Sequence, residues 1–202
     1  MAEEEADVEL RDILMKQRTI LLGEINHKSV GDVVRRLLIL QSRSADRINL
    51  LIDSEGGEIT AAFKLCDTIE CLITAPVRGI AIVSCKSAAT FVLMHCDERI
   101  ATPNADFLIH SGKMSGITVM LNHTTQTELE HLLAESKAST ERMIRMYMQK
   151  LHKSRRETVL LFGRGDRRFN GTISAPEAVK LGLIQSIETR LNVFPKIIAR
   201  GV

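Results

Sequence analysis

Apolar positions along the first half of the chain follow two alternating periods. Short β-type runs at residues 19–22, 48–52 and 77–83 are each followed by a segment whose apolar residues recur every three to four positions. Such alternation predicts parallel strands joined by right-handed crossovers, and the continuous apolar runs are typical of strands covered on both faces. The pattern therefore predicts an α/β fold. The predicted helices span residues 30–40, about 59–72 and 87–94.

The second half of the chain is organised differently. Two more short strands are predicted at residues 99–101 and 107–109, and three-to-four spacing then predicts one long helix over residues 123–151. A helix of this length is either a core helix or a projecting arm that packs against a neighbouring subunit. We favour the arm, because the far end of such a helix needs a partner. The last predicted elements are a short helix from Ser174 to Gly182 and a strand at residues 183–187.

Composition narrows the function classes further. The 202 residues suit one domain, and the formal net charge of +2 removes the main electrostatic argument for a nucleic-acid-binding protein. An acidic N-terminal segment and the lack of any apolar stretch of about 18 residues argue against a signal peptide or a membrane span. The four cysteines lie in apolar patterns without metal-type spacing. We therefore expect reduced core thiols, no bound metal and a cytoplasmic protein.

Two loops carry the candidate chemistry. Gly56 and Gly57 lie between a predicted strand and a helix, and Ser87 lies at the start of the next predicted helix. Both loops leave the carboxyl ends of parallel strands, where ligands usually bind. Taken singly, each feature has a simpler and more probable interpretation: the glycine pair only allows the backbone to turn, and Ser87 only caps the helix. His110 at a strand end changes this balance, because a serine nucleophile needs a base within hydrogen-bond reach.

Five segments in order carry a resemblance to a known family. They are Asp53–Gly57 with ITAA at residues 59–62, DTI at residues 67–69, Ser87 with FVL at residues 91–93, PNADFLIH at residues 103–110, and SAPEAVKLGL at residues 174–183. From about Leu14 to Ile187 the chain resembles the Clp protease proteolytic subunit (ClpP) family, which are serine peptidases of the crotonase-like superfamily. The resemblance implies repeated β-β-α and βα units around a parallel sheet, with a long projecting handle helix.

The resemblance also implies roles for individual residues. Ser87 falls on the family's nucleophile and His110 on its general base, and the oxyanion donors fall on the backbone N–H groups of Gly57 and Ala88. The family's catalytic aspartate falls on Asn170. The segment 163–173 around it is longer than the family's, and if residues 170–172 are the insertion, Asp166 is the alternative third member. An asparagine can orient the histidine but supplies no charge to stabilise an imidazolium, so weaker turnover would follow.

Lys86 is a further departure from the family pattern, because small residues usually precede the nucleophile. A serine–lysine dyad is a conceivable alternative, since a desolvated lysine can act as a base. Neighbouring residues at such a turn generally point apart, which favours a solvated or subunit-facing lysine instead.

The resemblance implies one domain of three parts: an N-terminal segment 1–13, a head of residues 14–110 and 165–190, and a handle region 111–164. The implied function is hydrolysis of unfolded polypeptides inside two stacked heptameric rings. This tetradecamer would consist of identical subunits or of paralogues. The resemblance also implies an AAA+ unfoldase as partner, and no cofactor. One alternative is a catalytically weak or inactive structural ring subunit. The other is a crotonase-like acyl-CoA enzyme, which is disfavoured because that chemistry has no use for a serine nucleophile and a histidine base.

Overall fold

The computed structural model describes residues 2–110, 126–165, 171–191 and 193, and these form a mixed α/β structure around one sheet. The strands are β1 (Thr19–Leu22), β2 (Ile48–Ser54), β3 (Val77–Lys86), β4 (Glu98–Ala101), β5 (Asp106–Leu108), β6 (Ile173–Ser174) and β7 (Ser186–Ile187). The helices are α1 (Ala2–Lys16), α2 (His27–Arg43), α3 (Ile59–Cys71), α4 (Ala88–Leu93), α5 (Gln126–Leu151), α6 (Arg155–Gly165) and α7 (Ala175–Leu181).

The sheet is parallel in the order β1-β2-β3-β4-β7. β5 pairs in parallel with the last residues of β3, and β6 is antiparallel to β5. The main core forms where α2, α3 and α4 pack on the sheet, and it includes Leu50 and Ile52 of β2. A smaller cluster of Leu51, Ile80 and Ile100 buries side chains of neighbouring strands. Since successive side chains of β2 point to opposite faces, burial in both clusters explains its continuous apolar run.

The predicted α/β fold with a parallel sheet is confirmed, and the differences lie mainly in element lengths. β3 continues to Lys86, beyond the predicted end at residue 83, because Ser84, Cys85 and Lys86 pair with β5. Sequence periodicity missed α1 and α6. α1 has only a weak apolar face, and Val8 remains 57% exposed on it.

The long helix α5 has two different halves. Its C-terminal half packs on the core through Met143, Ile144 and Tyr147, whereas Leu133 in its N-terminal half is 52% exposed. Residues 123–125 of the predicted helix lie outside the described residues. An arm that projects from the head is consistent with this burial, while its contact with another subunit and the division into head and handle stay predictions.

The prediction that every cysteine is a core thiol is wrong for Cys71. Cys66, Cys85 and Cys96 are buried, and burial raises the pKa of all three thiols, whereas Cys71 is exposed. Cys71 follows Cys66 by five positions, which places it about 140° around α3 from Cys66. None of the helices in the described ranges is long and apolar enough to cross a membrane.

Candidate active site

The glycine loop after β2 is held by a short pairing with the segment before α2. Ile25 and Gly57 form a parallel bridge, in which the Ile25 N–H donates to the Gly56 carbonyl at 2.9 Å and the Glu58 N–H donates to the Ile25 carbonyl at 2.8 Å. Gly56 and Gly57 have φ angles of 105° and 144°, which L side chains rarely adopt. A Cβ on Gly57 would collide with the Ile25 carbonyl oxygen. The glycine pair therefore does more than turn the chain, because the fold requires a close backbone approach here.

Ser87 occupies a strained turn between β3 and α4. Its φ of 53° and ψ of −124° lie in a region that costs a residue with a side chain on the order of 1–3 kcal/mol. The turn is fixed by the Ser87 N–H, which donates to the Leu108 carbonyl of β5 at 2.7 Å. The Ser87 side chain makes no capping hydrogen bond to α4. The interpretation of Ser87 as a simple helix cap therefore fails.

The glycine loop and the serine turn lie directly against each other. A Cβ built on Gly56 would lie 2.7 Å from the Ser87 Cβ, 2.8 Å from the Lys86 carbonyl oxygen and 3.1 Å from the Ala88 nitrogen. Only a residue without a side chain allows this spacing. The sequence therefore places the backbone of one strand–helix loop beside the nucleophile candidate of the next.

Four of the residues predicted from the sequence line one cavity of about 740 Å³, namely Gly57, Ser87, Ala88 and His110. The cavity is bounded by the glycine loop, the start of α4, the end of β5 and the face of α5. Asn170 and Asp166, the two candidates for the third catalytic residue, lie outside the described residues. The structure thus joins the serine, the histidine and both proposed oxyanion donors in one pocket.

Sequence reasoning missed the wall that α5 contributes. This wall consists of Leu132, Glu135, Ser136, Ser139, Thr140, Met143 and Tyr147. Five of these positions, namely Leu132, Ser136, Thr140, Met143 and Tyr147, fit the three-to-four spacing of the long helix, but that pattern indicates only a face that is covered. It does not show that part of this face borders a cavity beside Ser87.

Lys86 is committed to an ion-pair cluster beside the cavity. Its Nζ lies 3.0 Å from Glu55 Oε1 and 3.6 Å from Asp106 Oδ1, and its side chain is 20% exposed. Burial alone lowers the pKa of Lys86, but the hydrogen bond to Glu55 and the charge of Asp106 outweigh it, so that the net pKa is raised. A lysine that holds its proton this firmly is a poor base. The geometry therefore disfavours a serine–lysine dyad, and Lys86 is not simply solvated either.

The comparison with known proteins agrees with the arrangement of these loops. A sequence model of the family described as Clp protease matches residues 2–190. The chain belongs to the Clp protease family. The ATP-dependent Clp protease proteolytic subunit 2 of Treponema denticola is 33% identical over 150 residues, which cover 68% of this chain and 74% of that relative.

A solved structure supports the fold of this Clp protease family member as well. An asparagine-to-aspartate mutant of ClpP1 from Listeria monocytogenes matches with a TM-score of 0.76 at 26% identity, over 91% of this chain and 98% of that one. The crotonase-like ClpP fold expected from the sequence is thereby confirmed.

Proposed function

We propose that this Clp protease family member is a serine endopeptidase with Ser87 as nucleophile and His110 as general base. The observation that carries the proposal is the strained turn at Ser87, whose side chain does not cap α4 and which borders the same cavity as His110. Strained backbone persists where the surrounding structure enforces it, and such positions cluster at active sites. Family membership favours a peptidase over the acyl-CoA alternative.

In the proposed reaction, His110 takes the proton of the Ser87 hydroxyl as its oxygen attacks the peptide carbonyl carbon. The negative charge that develops on the carbonyl oxygen is bound by the backbone N–H groups of Gly57 and Ala88. The N–H of Ser87 itself donates to the Leu108 carbonyl and is therefore not available for this purpose. His110 then gives the proton to the leaving amine, and water activated by the same imidazole hydrolyses the acyl-enzyme.

Labelling with a fluorophosphonate probe tests this assignment. The serine oxygen attacks the phosphorus of the probe and displaces fluoride, which leaves a phosphonylated serine. Only an activated serine reacts in this way, so we expect one adduct per subunit, located by mass spectrometry on the peptide that contains Ser87. Ser84 is a matched internal control, because it lies three residues before Ser87 and its hydroxyl donates to Glu55 at 2.6 Å. We expect no adduct on Ser84. A protein that neither labels at Ser87 nor hydrolyses peptides would be the inactive structural subunit.

Asn170 motivates a more specific form of that alternative, a subunit that is active but weak. If Asn170 contacts the His110 imidazole, Asn170→Asp adds a charge that stabilises the imidazolium and should raise kcat, by up to about 10⁴-fold on the scale of known triads. Asp166→Ala should then have little effect. The converse result, an inactive Asp166→Ala and an unchanged Asn170→Asp, would assign the third position to Asp166. Peptide hydrolysis by the two variants, measured side by side, decides between them.

We also propose, from family membership, that the chain assembles into stacked heptameric rings, alone or with paralogues, and receives unfolded polypeptide from an AAA+ unfoldase in the cytoplasm. The exposed apolar side chains of α2 and α5, which include Leu38, Ile39 and Leu133, support burial against further subunits. The head and handle parts of the single domain would take their family roles in this assembly. Sedimentation velocity would show the assembly as a species far heavier than one 22.5 kDa chain.

A further inference from the structure

Two buried hydroxyl groups lie behind Ser87, on α4 and α5. Thr90 is 1% exposed and Tyr147 is 2% exposed. The Thr90 Oγ1 lies 2.7 Å from the Ser87 carbonyl oxygen and 2.6 Å from the Tyr147 Oη. Both residues also line the cavity that contains Ser87 and His110. The two hydroxyls thus form a short chain from α5 to the backbone of the proposed nucleophile.

The direction of this chain follows from counting protons. A carbonyl oxygen only accepts, so Thr90 must donate its single hydroxyl proton to Ser87. The second bond must then be donated by Tyr147 to Thr90. Burial raises the pKa of the Tyr147 hydroxyl well above its usual range, which keeps that proton in place. Edge-on packing against Phe162, with ring centroids 5.6 Å apart, holds the Tyr147 ring. The order is Tyr147 to Thr90 to the Ser87 carbonyl, and such chains polarise each successive bond.

The hydrogen-bond chain ends at the peptide group that joins Ser87 to Ala88. Its carbonyl belongs to Ser87 and its N–H belongs to Ala88, and in a planar trans peptide the two point in opposite directions. The carbonyl accepts the Thr90 hydroxyl and also the Thr90 N–H at 3.1 Å. Fixing the carbonyl on one side therefore fixes the direction of the Ala88 N–H on the other.

We propose that Thr90 and Tyr147 are positioning residues that aim the Ala88 N–H at the developing oxyanion. This inference rests on the proposed peptidase function. Neither hydroxyl touches the reacting atoms in this scheme, and both act through the Ser87–Ala88 peptide. Because this hydrogen-bond chain polarises the Ser87 carbonyl, it also makes the Ala88 N–H of the same amide a stronger donor. The effect should appear in the transition state and not in substrate binding, so kcat falls while KM stays constant.

Three single substitutions and one double substitution test the hydrogen-bond chain from Tyr147 through Thr90 to the Ser87 carbonyl. Thr90→Val removes the hydroxyl at nearly constant shape, and we expect kcat for a fluorogenic peptide to fall roughly tenfold, a fraction of the loss on removing a whole oxyanion donor. Tyr147→Phe leaves the bond from Thr90 to Ser87 in place and should lower kcat by roughly threefold. Thr90→Ser keeps the donor and should stay within about twofold of the wild type. The double variant Thr90→Val with Tyr147→Phe should match Thr90→Val alone, since Tyr147 acts through Thr90.

Ile144→Val is the matched control for lost packing on α5, because Ile144 is buried but does not line the cavity. Three results would each overturn the inference. The first is a fall of kcat in Ile144→Val as large as that in Thr90→Val, and the second is a wild-type kcat in Thr90→Val. The third is a loss in the double variant equal to the two single losses combined. The crystal structure of Thr90→Val provides a readout without catalysis, in which we expect the Ser87–Ala88 peptide to rotate. An inactive wild type that does not label would overturn the proposed function, whereas an unmoved peptide in Thr90→Val would overturn the positioning role alone.

Discussion

Ser87→Ala is expected to abolish peptide hydrolysis, with a fall in kcat on the order of 10⁴-fold or more. The variant lacks the oxygen that forms the acyl-enzyme, while Gly57, Ala88 and His110 remain around the cavity. Binding of the peptide and the residual effect of the oxyanion donors cannot replace a covalent nucleophile. The measurement is the initial rate with a fluorogenic peptide above its KM, for wild type and variant at equal subunit concentration. Activity that survives in Ser87→Ala would show that another group performs the attack.

The backbone at Ser87 supplies a second readout through Ser87→Gly. Alanine keeps the strain that φ 53° and ψ −124° impose on any residue with a Cβ, whereas glycine relieves it. Glycine gains more entropy on unfolding, which offsets part of the relief. We expect Ser87→Gly to be as inactive as Ser87→Ala, but more stable by about 1 kcal/mol. Thermal unfolding of both variants in one buffer makes the comparison. A lower Tm for Ser87→Gly would mean that the turn stores no strain.

The parallel sheet could be predicted from the sequence because strands such as β2 are buried on both faces. Residues 50–52 of β2 are three consecutive apolar residues, and turn residues follow them. The order strand, glycine loop and helix then places Gly57 at the carboxyl edge of the sheet. Ser87 follows the next strand and reaches the same edge, so the sequence alone associates Gly57 with Ser87.

Contacts between distant segments could not be predicted in the same way. The bond between Thr90 and Tyr147 joins residues 57 positions apart, and no periodicity reports on it. The same holds for Lys86 and Glu55, which lie 31 positions apart. Their ion pair argues against Lys86 as a general base. Tyr147 fits the apolar spacing of α5, and its hydroxyl partner depends on how α5 crosses α4. Polar pairings of this kind follow from the relative placement of elements, which a one-dimensional pattern does not contain.

Gly56→Ala is expected to disable the site although it changes no proposed catalytic side chain. The new Cβ would lie 2.7 Å from the Ser87 Cβ and 2.8 Å from the Lys86 carbonyl oxygen, and φ at this position is 105°. The glycine loop must therefore move away from the serine turn and carry the adjacent Gly57 N–H with it. Because a displaced oxyanion donor is nearly as costly as a missing one, kcat/KM should fall roughly 10²–10³-fold. Stability should fall by more than about 1 kcal/mol, since alanine is strained at this φ.

Gly163→Ala separates this local effect from the general effect of adding a methyl group. Gly163 is exposed on α6, and apart from its chain neighbours and the backbone of its own helix no described atom lies within 4 Å of the position its Cβ would take. Alanine is the better helix former, so this control should keep full activity and gain up to about 1 kcal/mol of stability. Peptide hydrolysis and thermal unfolding, measured on both variants, give the contrast. Full activity in Gly56→Ala would mean that the glycine loop can retreat from Ser87 without cost, and then Gly57 could not be a fixed oxyanion donor.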